Sequence, residues 1–342
     1  MEIDTTHASR RRALRHGLIA LGLAALPVGC SSQQPAKPKQ PLRLAADKTN
    51  PLLQLPWFVA RQRKLFEAQR LRFTEVPFQA DGTGADISLG AFYHVLLART
   101  AGAALTGFAV LCRSPLLVLA SKPHKRERHR VARDLEGDTI AVTTQGDQTE
   151  LFVKYVTSED GLPSGDFETT ATGSLAASAA SLEKGEIDAA VLDSATAKTL
   201  ETRVPELEIL SDTRTLAGLL STYGVSNYPA CCAFADSSWL LENREEARRV
   251  ARALRAATEW IRTHQAKDVA AALPKEYRDS MDAALLNALI DEGRPLLSVD
   301  LEFTPDGVEA VREVLAVSNE NFRDVTVSRE AYTNDVVRER RR

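Results

Sequence analysis

Residues 138–159 read DTIAVTTQGDQTELFVKYVTSE. A short apolar run rich in β-branched residues gives way to a polar turn with one glycine. Apolar residues at helical spacing then follow. This order of strand, turn and helix recurs, and it constrains the fold more than any other feature. Strands are expected at 42–46, 71–76, 85–90, 138–142, 167–170, 187–192 and 230–235, with β-rich apolar runs at 105–111 and 116–120. Helices are expected at 57–66, after residue 90 through Leu97, from Glu150 onward, and from the ATGSLAAS turn at 171–178. Three more are expected at 239–264, 278–292 and 305–318. Strands that alternate singly with helices argue for an α/β fold with largely parallel sheets.

The first 41 residues stand apart. Gly17 to Gly29 is apolar but too short to cross a bilayer core, which needs roughly 20 residues. Arg10, Arg11, Arg12 and Arg15 precede it, and the small residue Gly29 leads into Cys30. A basic stretch, a short apolar stretch and a small residue before a cut describe an export signal over 1–29. The run at 9–15 resembles a twin-arginine motif, with Ala13 in place of the usual Phe. Pro27-Val28-Gly29-Cys30 resembles a lipobox, in which Cys30 is lipidated. Residues 30–41 are polar and proline-rich, a semi-extended tether. The remainder, about 300 residues, suits two domains.

Charge excludes one partner class. Of 43 basic and 46 acidic residues, 1–29 contains four arginines plus Glu2 and Asp4, leaving 39 and 44, a net of −5. There is no basic excess to suggest nucleic acid. Besides Cys30 there are Cys112, Cys231 and Cys232, without the paired CxxC spacing of a zinc site. An oxidising compartment would allow a disulfide from Cys112 to Cys231 or Cys232. No GxSxG, HExxH or P-loop is present. Asp86 and Asp188 begin similar strands, which capping explains, and the basic end 338–342 reads as a solvated tail.

Two turns carry binding potential: 143–149 and 172–174, each between a strand and a helix. The first N–H groups of a helix have no internal partner and favour a small anion or polar head group. Serine and threonine are also ordinary N-caps. Two such turns at matching places favour a ligand cleft.

Further stretches bear on the family. They are GDTIAVTTQGDQTELFVKYVTSEDGLPSGDF at 137–167, ATGSLAASAASLEKGEIDAAVLDSATAKTLE at 171–201, and YPACCAFADSSWLLENREEARRVARALRAATEWI at 228–261. With ADISLGAFYHVL, LPKEYR and YTND, they resemble, in order, the nitrate/sulfonate/taurine family of periplasmic substrate-binding proteins of ABC importers. The same superfamily contains the thiamine-pyrimidine synthase. The resemblance implies a type II periplasmic binding protein, with two doubly wound α/β domains, a hinge and a ligand cleft between them. Domain I would be 42–120 plus 228–342, and domain II 121–227.

The function implied is delivery of a sulfonate, nitrate, taurine or pyrimidine-type ligand to an ABC permease, without catalysis, cofactor or metal. The protein would be a monomer, lipid-anchored at Cys30 in the periplasm or on the outer face of a bacterial cytoplasmic membrane. The expected site takes Asp47 and Asn50 after the first strand, Thr83, Ala91, Phe92, Tyr93 and His94. It also takes Thr144, Gly146, Thr149, Gly173, Ser174 and Asp193. Trp57, Phe92 or Tyr93 would flank a ring, and Arg113 or Arg214 would meet an anion.

The chain departs from the family in leaving only 79–84 between two strands, where relatives carry a helix. A two-turn helix needs about seven residues. The expected loss is one anion-holding helix end, with Gly82-Thr83-Gly84 supplying a few backbone donors. Two alternatives follow: a paralogue that binds a protein instead, and a pyrimidine-synthase-like enzyme using iron with Cys231 and Cys232.

Overall fold

The alternating pattern becomes two five-stranded sheets. A computed structural model describes residues 40–122, 129–323 and 325–338. The expected export signal at 1–29, Cys30 and most of the expected tether lie outside the described residues, as do the last four residues of the basic end.

The first sheet is built from β1 (Leu42–Ala46), α1 (Leu55–Gln62), α2 (Leu65–Ala68), β2 (Phe73–Val76), β3 (Ile87–Gly90), α3 (Phe92–Thr100) and β4 (Leu105–Cys112). The chain crosses into β5 (Leu117–Ser121), β6 (Thr139–Val142), α4 (Gln148–Glu159), β7 (Glu168–Ala171) and α5 (Leu175–Lys184). It continues through β8 (Ala189–Asp193), α6 (Ser194–Arg203), β9 (Glu208–Asp212) and α7 (Leu216–Tyr223). It returns as β10 (Cys231–Asp236) and ends in α8 (Ser237–Glu242), α9 (Arg244–Thr263), α10 (Ala266–Ala270), α11 (Lys275–Arg278), α12 (Ala283–Gly293) and α13 (Pro305–Ser318).

The sheets have matching orders, β2-β1-β3-β10-β4 and β7-β6-β8-β5-β9. In each, the first three strands are parallel, whereas the strand that has just crossed over, β10 or β5, is antiparallel to both neighbours. The sheets are therefore mixed rather than largely parallel. The match extends to single bonds. Arg43 N–H donates to Asp86 Oδ2 at 2.8 Å, and Thr139 N–H to Asp188 Oδ2 at 3.0 Å. Each aspartate thus holds the start of the strand that stands second in its sheet's order, β1 or β6.

Helices cover the sheets because their apolar residues fall on one stripe. In α9 the buried residues Ala247, Val250, Ala251, Leu254, Ala257, Thr258 and Ile261 step by three and four, with Ala253 buried beside them, and the helix packs against α1. Strands β3 and β4 are buried along their whole length, as a sheet covered on both faces requires.

Some boundaries moved. The helix expected at 57–66 breaks at Lys64, whose φ is 55°. The long helix at 239–264 divides at Asn243, and α12 starts at 283, where the Asp282 side chain caps it. Elements α6, β9 and α7 had no sequence expectation. Residues 117–121 pair in the second sheet, so the crossing comes before them and not after Ala120. The C-terminal helices, expected to belong to domain I, also touch the other lobe: α13 packs on α4 as well as α3, and α12 on α6. Among the described residues no helix lies between β2 and β3.

Candidate functional site

The chain passes between the sheets twice, at 113–116 and at 224–230. The two passages are tied together. Tyr228 N–H donates to Arg113 O at 3.0 Å. The first passage is also held to the end of β9, where Ser114 Oγ donates to Thr213 O at 2.5 Å and Leu117 N–H to Thr213 Oγ1 at 2.8 Å. Tyr228 stacks on Tyr223, with ring centroids 4.3 Å apart. Above these passages the carboxyl ends of β1, β3, β6 and β7 face a cavity of about 560 Å³. This is the usual place for a ligand in an open α/β sheet, and the volume suits a small organic molecule.

Each wall comes from a strand end. Asp47, Thr49 and Asn50 follow β1, and Gly90, Ala91, Tyr93 and His94 follow β3. Thr143, Thr144, Asp147, Gln148 and Thr149 follow β6, and Gly173, Ser174 and Leu175 follow β7. Pro115, Leu117, Ala230 and Cys231 supply the crossings. Nine residues of the sequence-derived set therefore meet at the cavity: Asp47, Asn50, Ala91, Tyr93, His94, Thr144, Thr149, Gly173 and Ser174.

Others of that set lie elsewhere. Thr83 is turned to Asp81, whose Oδ1 accepts both its N–H and its hydroxyl, so the short loop is closed on itself. Phe92 is fully buried behind the site, with Phe303 at 5.0 Å. Trp57 is likewise in the core, against Phe66 and Phe73. Arg113 donates to Pro295 O at 2.6 Å, and Arg214 is held by Asp212 and Glu201. Asp193 caps α6, accepting the Thr196 N–H at 2.9 Å. Gly146 is outside the cavity lining, and its N–H donates to Glu150 Oε2 at 2.6 Å.

The turn at 143–149 is not the open anion holder that its composition suggested. Asp147 Oδ1 accepts the N–H groups of Thr149 and Glu150, at 2.9 and 3.2 Å. Its Oδ2 accepts from Thr144 N–H and from the Thr143 hydroxyl. Thr143 N–H is taken by Thr149 Oγ1. The helix end that would favour an external anion already holds a carboxylate. The Asp-x-x-Glu spacing of 147–150 is the sequence signal for this cap.

Two lining residues that the sequence did not single out, Gln54 and Phe78, shape the site. Gln54 is only 2% exposed. Its Nε2 donates to Leu89 O at 3.3 Å, beside the Asp47 N–H that donates to the same carbonyl at 2.9 Å. Gln54 Oε1 has no partner, and neither has Gln148 Nε2. Phe78, from the shortened connection, lies 5.6 Å from the His94 ring and 6.4 Å from Phe234. A Cβ on Gly90 would come within 2.7 Å of its ring, so glycine leaves the space that Phe78 fills. Nothing in the local sequence marked Gln54 or Phe78. Their place depends on how β3 and the short loop come together.

The charged side chains of the lining are of one sign, and the N-terminal ends of α3 and α5 also reach the cavity. Among the described residues no lysine or arginine lines the cavity, while Asp47 and Asp147 do. Burial pushes the His94 imidazole below its ordinary value, although Asp47 opposes this. Burial, with Asp47 and Asp147 nearby, raises the Tyr93 phenol. His94 is thus neutral and Tyr93 protonated near neutral pH.

The model of the NMT1/THI5-like family matches residues 79–268, more than half of the chain. The chain belongs to the NMT1/THI5-like family. Solved structures agree on the fold. One from Bordetella bronchiseptica RB50 is 27% identical, covers 87% of this chain and 96% of that one, and has a TM-score of 0.74. The periplasmic aliphatic sulphonate binding protein SsuA of Escherichia coli is 17% identical over 83% of this chain and 88% of its own, with a TM-score of 0.66. The alkanesulfonate-binding protein SsuA of Xanthomonas axonopodis pv. citri, solved bound to MOPS, is 16% identical over 82% and 92%, with a TM-score of 0.61. Curated proteins yield no match. The fold is therefore that of the periplasmic binding proteins.

The NMT1/THI5-like family includes a synthase as well as binding proteins, which makes the cysteines of this member worth placing. Cys231 lines the cavity and pairs across strands with Cys112, while Cys232 pairs with Gly90 and Val110. All three thiols are free and buried. Burial pushes Cys112 up to about 11 and raises both Cys231 and Cys232. Among the described residues no three His, Cys, Asp or Glu side chains group to hold a metal, so Cys231 and Cys232 have no further ligands beside them. These residues do not fit iron. Among the described residues no helix is long and apolar enough to cross a membrane.

Proposed function

We propose that this protein is an extracytoplasmic solute-binding protein that delivers a small polar organic ligand to an ABC importer. The observation that carries the reading is the cavity of about 560 Å³, walled by equivalent strand ends of two matching sheets and floored by the two crossings. The crossings act as a hinge. A ligand that touches both walls favours the closed form by its extra contacts there. Delivery needs a permease that reads the closed form. An export signal at 1–29 and a lipid on Cys30 would hold the receptor, as a monomer, beside that permease.

The test is thermal unfolding of the purified protein with sulfonates, nitrate, taurine, pyrimidines, aromatic carboxylates and aromatic ammonium ions. A ligand at a hundred times its Kd stabilises by about 2.7 kcal/mol. A clear shift with any of them supports a receptor. A cooperative unfolding curve that no ligand moves overturns it and favours a paralogue that binds a protein.

A further inference from the structure

We infer that the cavity is built for an organic cation, a protonated nitrogen carried on an aromatic or compact apolar body. This inference rests on the receptor reading and names the ligand class of the same site. Four observations carry it. No lysine or arginine among the described residues lines the cavity, so none of these side chains offers an anion a full counter-charge. The helix end of α4 is filled by Asp147, whose carboxylate accepts from Thr144, Thr149 and Glu150.

The third observation is an acceptor left waiting. Gln54 is buried on the cavity wall, its Nε2 is fixed on Leu89 O, and its Oε1 has no partner. Asp47 stands beside it on the same carbonyl, with Oδ1 taken by Thr49. Both residues belong to the cavity lining, which therefore contains a carboxylate and a buried amide oxygen, acceptors that suit a group donating N–H bonds. An unpaired buried acceptor is costly, and a charged donor satisfies it well.

The fourth is the wall opposite these acceptors in kind. Phe78 and the neutral His94 ring lie 5.6 Å apart, and Tyr93 is 4.2 Å from His94. Aromatic faces attract cations and pack against rings. The short connection between β2 and β3 thus has a chemical consequence: it brings an aromatic side chain to the cavity.

Isothermal titration of the purified protein with benzylammonium, benzamidinium, benzyl alcohol and benzenesulfonate tests this, together with the Asp47→Asn variant. The expected result is binding of the cations, no binding of the sulfonate, and about tenfold or greater loss of cation affinity in Asp47→Asn. Asparagine keeps the oxygen that Thr49 uses. Should the variant not fold, the wild-type selectivity decides by itself. Sulfonate binding as tight as that of the cations overturns the inference and leaves the receptor reading standing. Benzyl alcohol binding as tightly as benzylammonium also overturns it, because charge would then be irrelevant. Silence towards these probes and the wider panel, in a folded sample, overturns both readings.

Discussion

Asp147 accepts the Thr149 N–H at 2.9 Å and so closes the end of α4 that faces the cleft. One carboxylate does two things there. It satisfies helix donors that have no internal partner, and it makes that wall of the cavity negative.

Asp147→Ala removes the cap and leaves the N–H groups of Thr144, Thr149 and Glu150 without their acceptor. Loss of an N-cap costs about 0.5–2 kcal/mol, and the extra bonds place this variant near the upper end. The urea midpoint should fall accordingly, with an unchanged m value. A midpoint equal to the wild type would mean that the cap contributes nothing.

Gly307 is the third residue of α13, where a Cβ would lie 1.7 Å from Asn227 O. Asn227 belongs to the returning crossover, and its side chain donates to Glu302 O at 3.0 Å. Gly307→Ala must push the helix off the crossover. Overpacking of this kind costs about 1–3 kcal/mol, and backbone gives way less readily than a side chain. Thermal unfolding should show a clear loss, whereas Gly165→Ala, with open space around its Cβ, should show little.

Phe78 is half-buried, against Gly90, His94 and Phe234. Phe78→Ala should cost about 1–2 kcal/mol in stability from the apolar area it leaves wet. Ring-bearing ligands should bind more weakly, and small ligands without a ring should be little affected. Titration with paired ligands checks this, and equal losses for both kinds would reject an aromatic contact.

His94 gives a pH dependence. Burial holds its folded pKa below the ordinary value of about 6.5, so the unfolded chain binds the extra proton first. Its contribution to stability is present above that value and is lost as pH falls towards the folded pKa. His94→Gln should flatten this part of the curve below about pH 6.5. Urea midpoints across that range measure it, and an unchanged slope would exclude His94 as the source.

Much of the fold was written in local pattern. The strand–turn–helix order around 138–159 needed only side-chain period and a polar turn, and α13 begins and ends where its apolar spacing said, at 305 and 318. The short β2–β3 connection was legible by counting residues. Elements α6, β9 and α7 were not, because 194–223 carries a weak apolar pattern that tertiary contact completes.

The site divides in the same way. By itself, the sequence determined which strand ends carry small and polar residues, because a turn that enters a helix needs caps and glycine. Asp47, Asn50, Ala91, Thr144, Gly173 and Ser174 follow from that rule. Only the tertiary structure decided which side chains point into the shared space. Phe92 turns into the core while its neighbour Tyr93 lines the cavity, since adjacent helical residues face about 100° apart. Gln54 and Phe78 reach it from positions without any local mark. The charge of the cleft was likewise a tertiary outcome, since Arg113 and Arg214 each found a partner elsewhere and Asp147 took the helix end for itself.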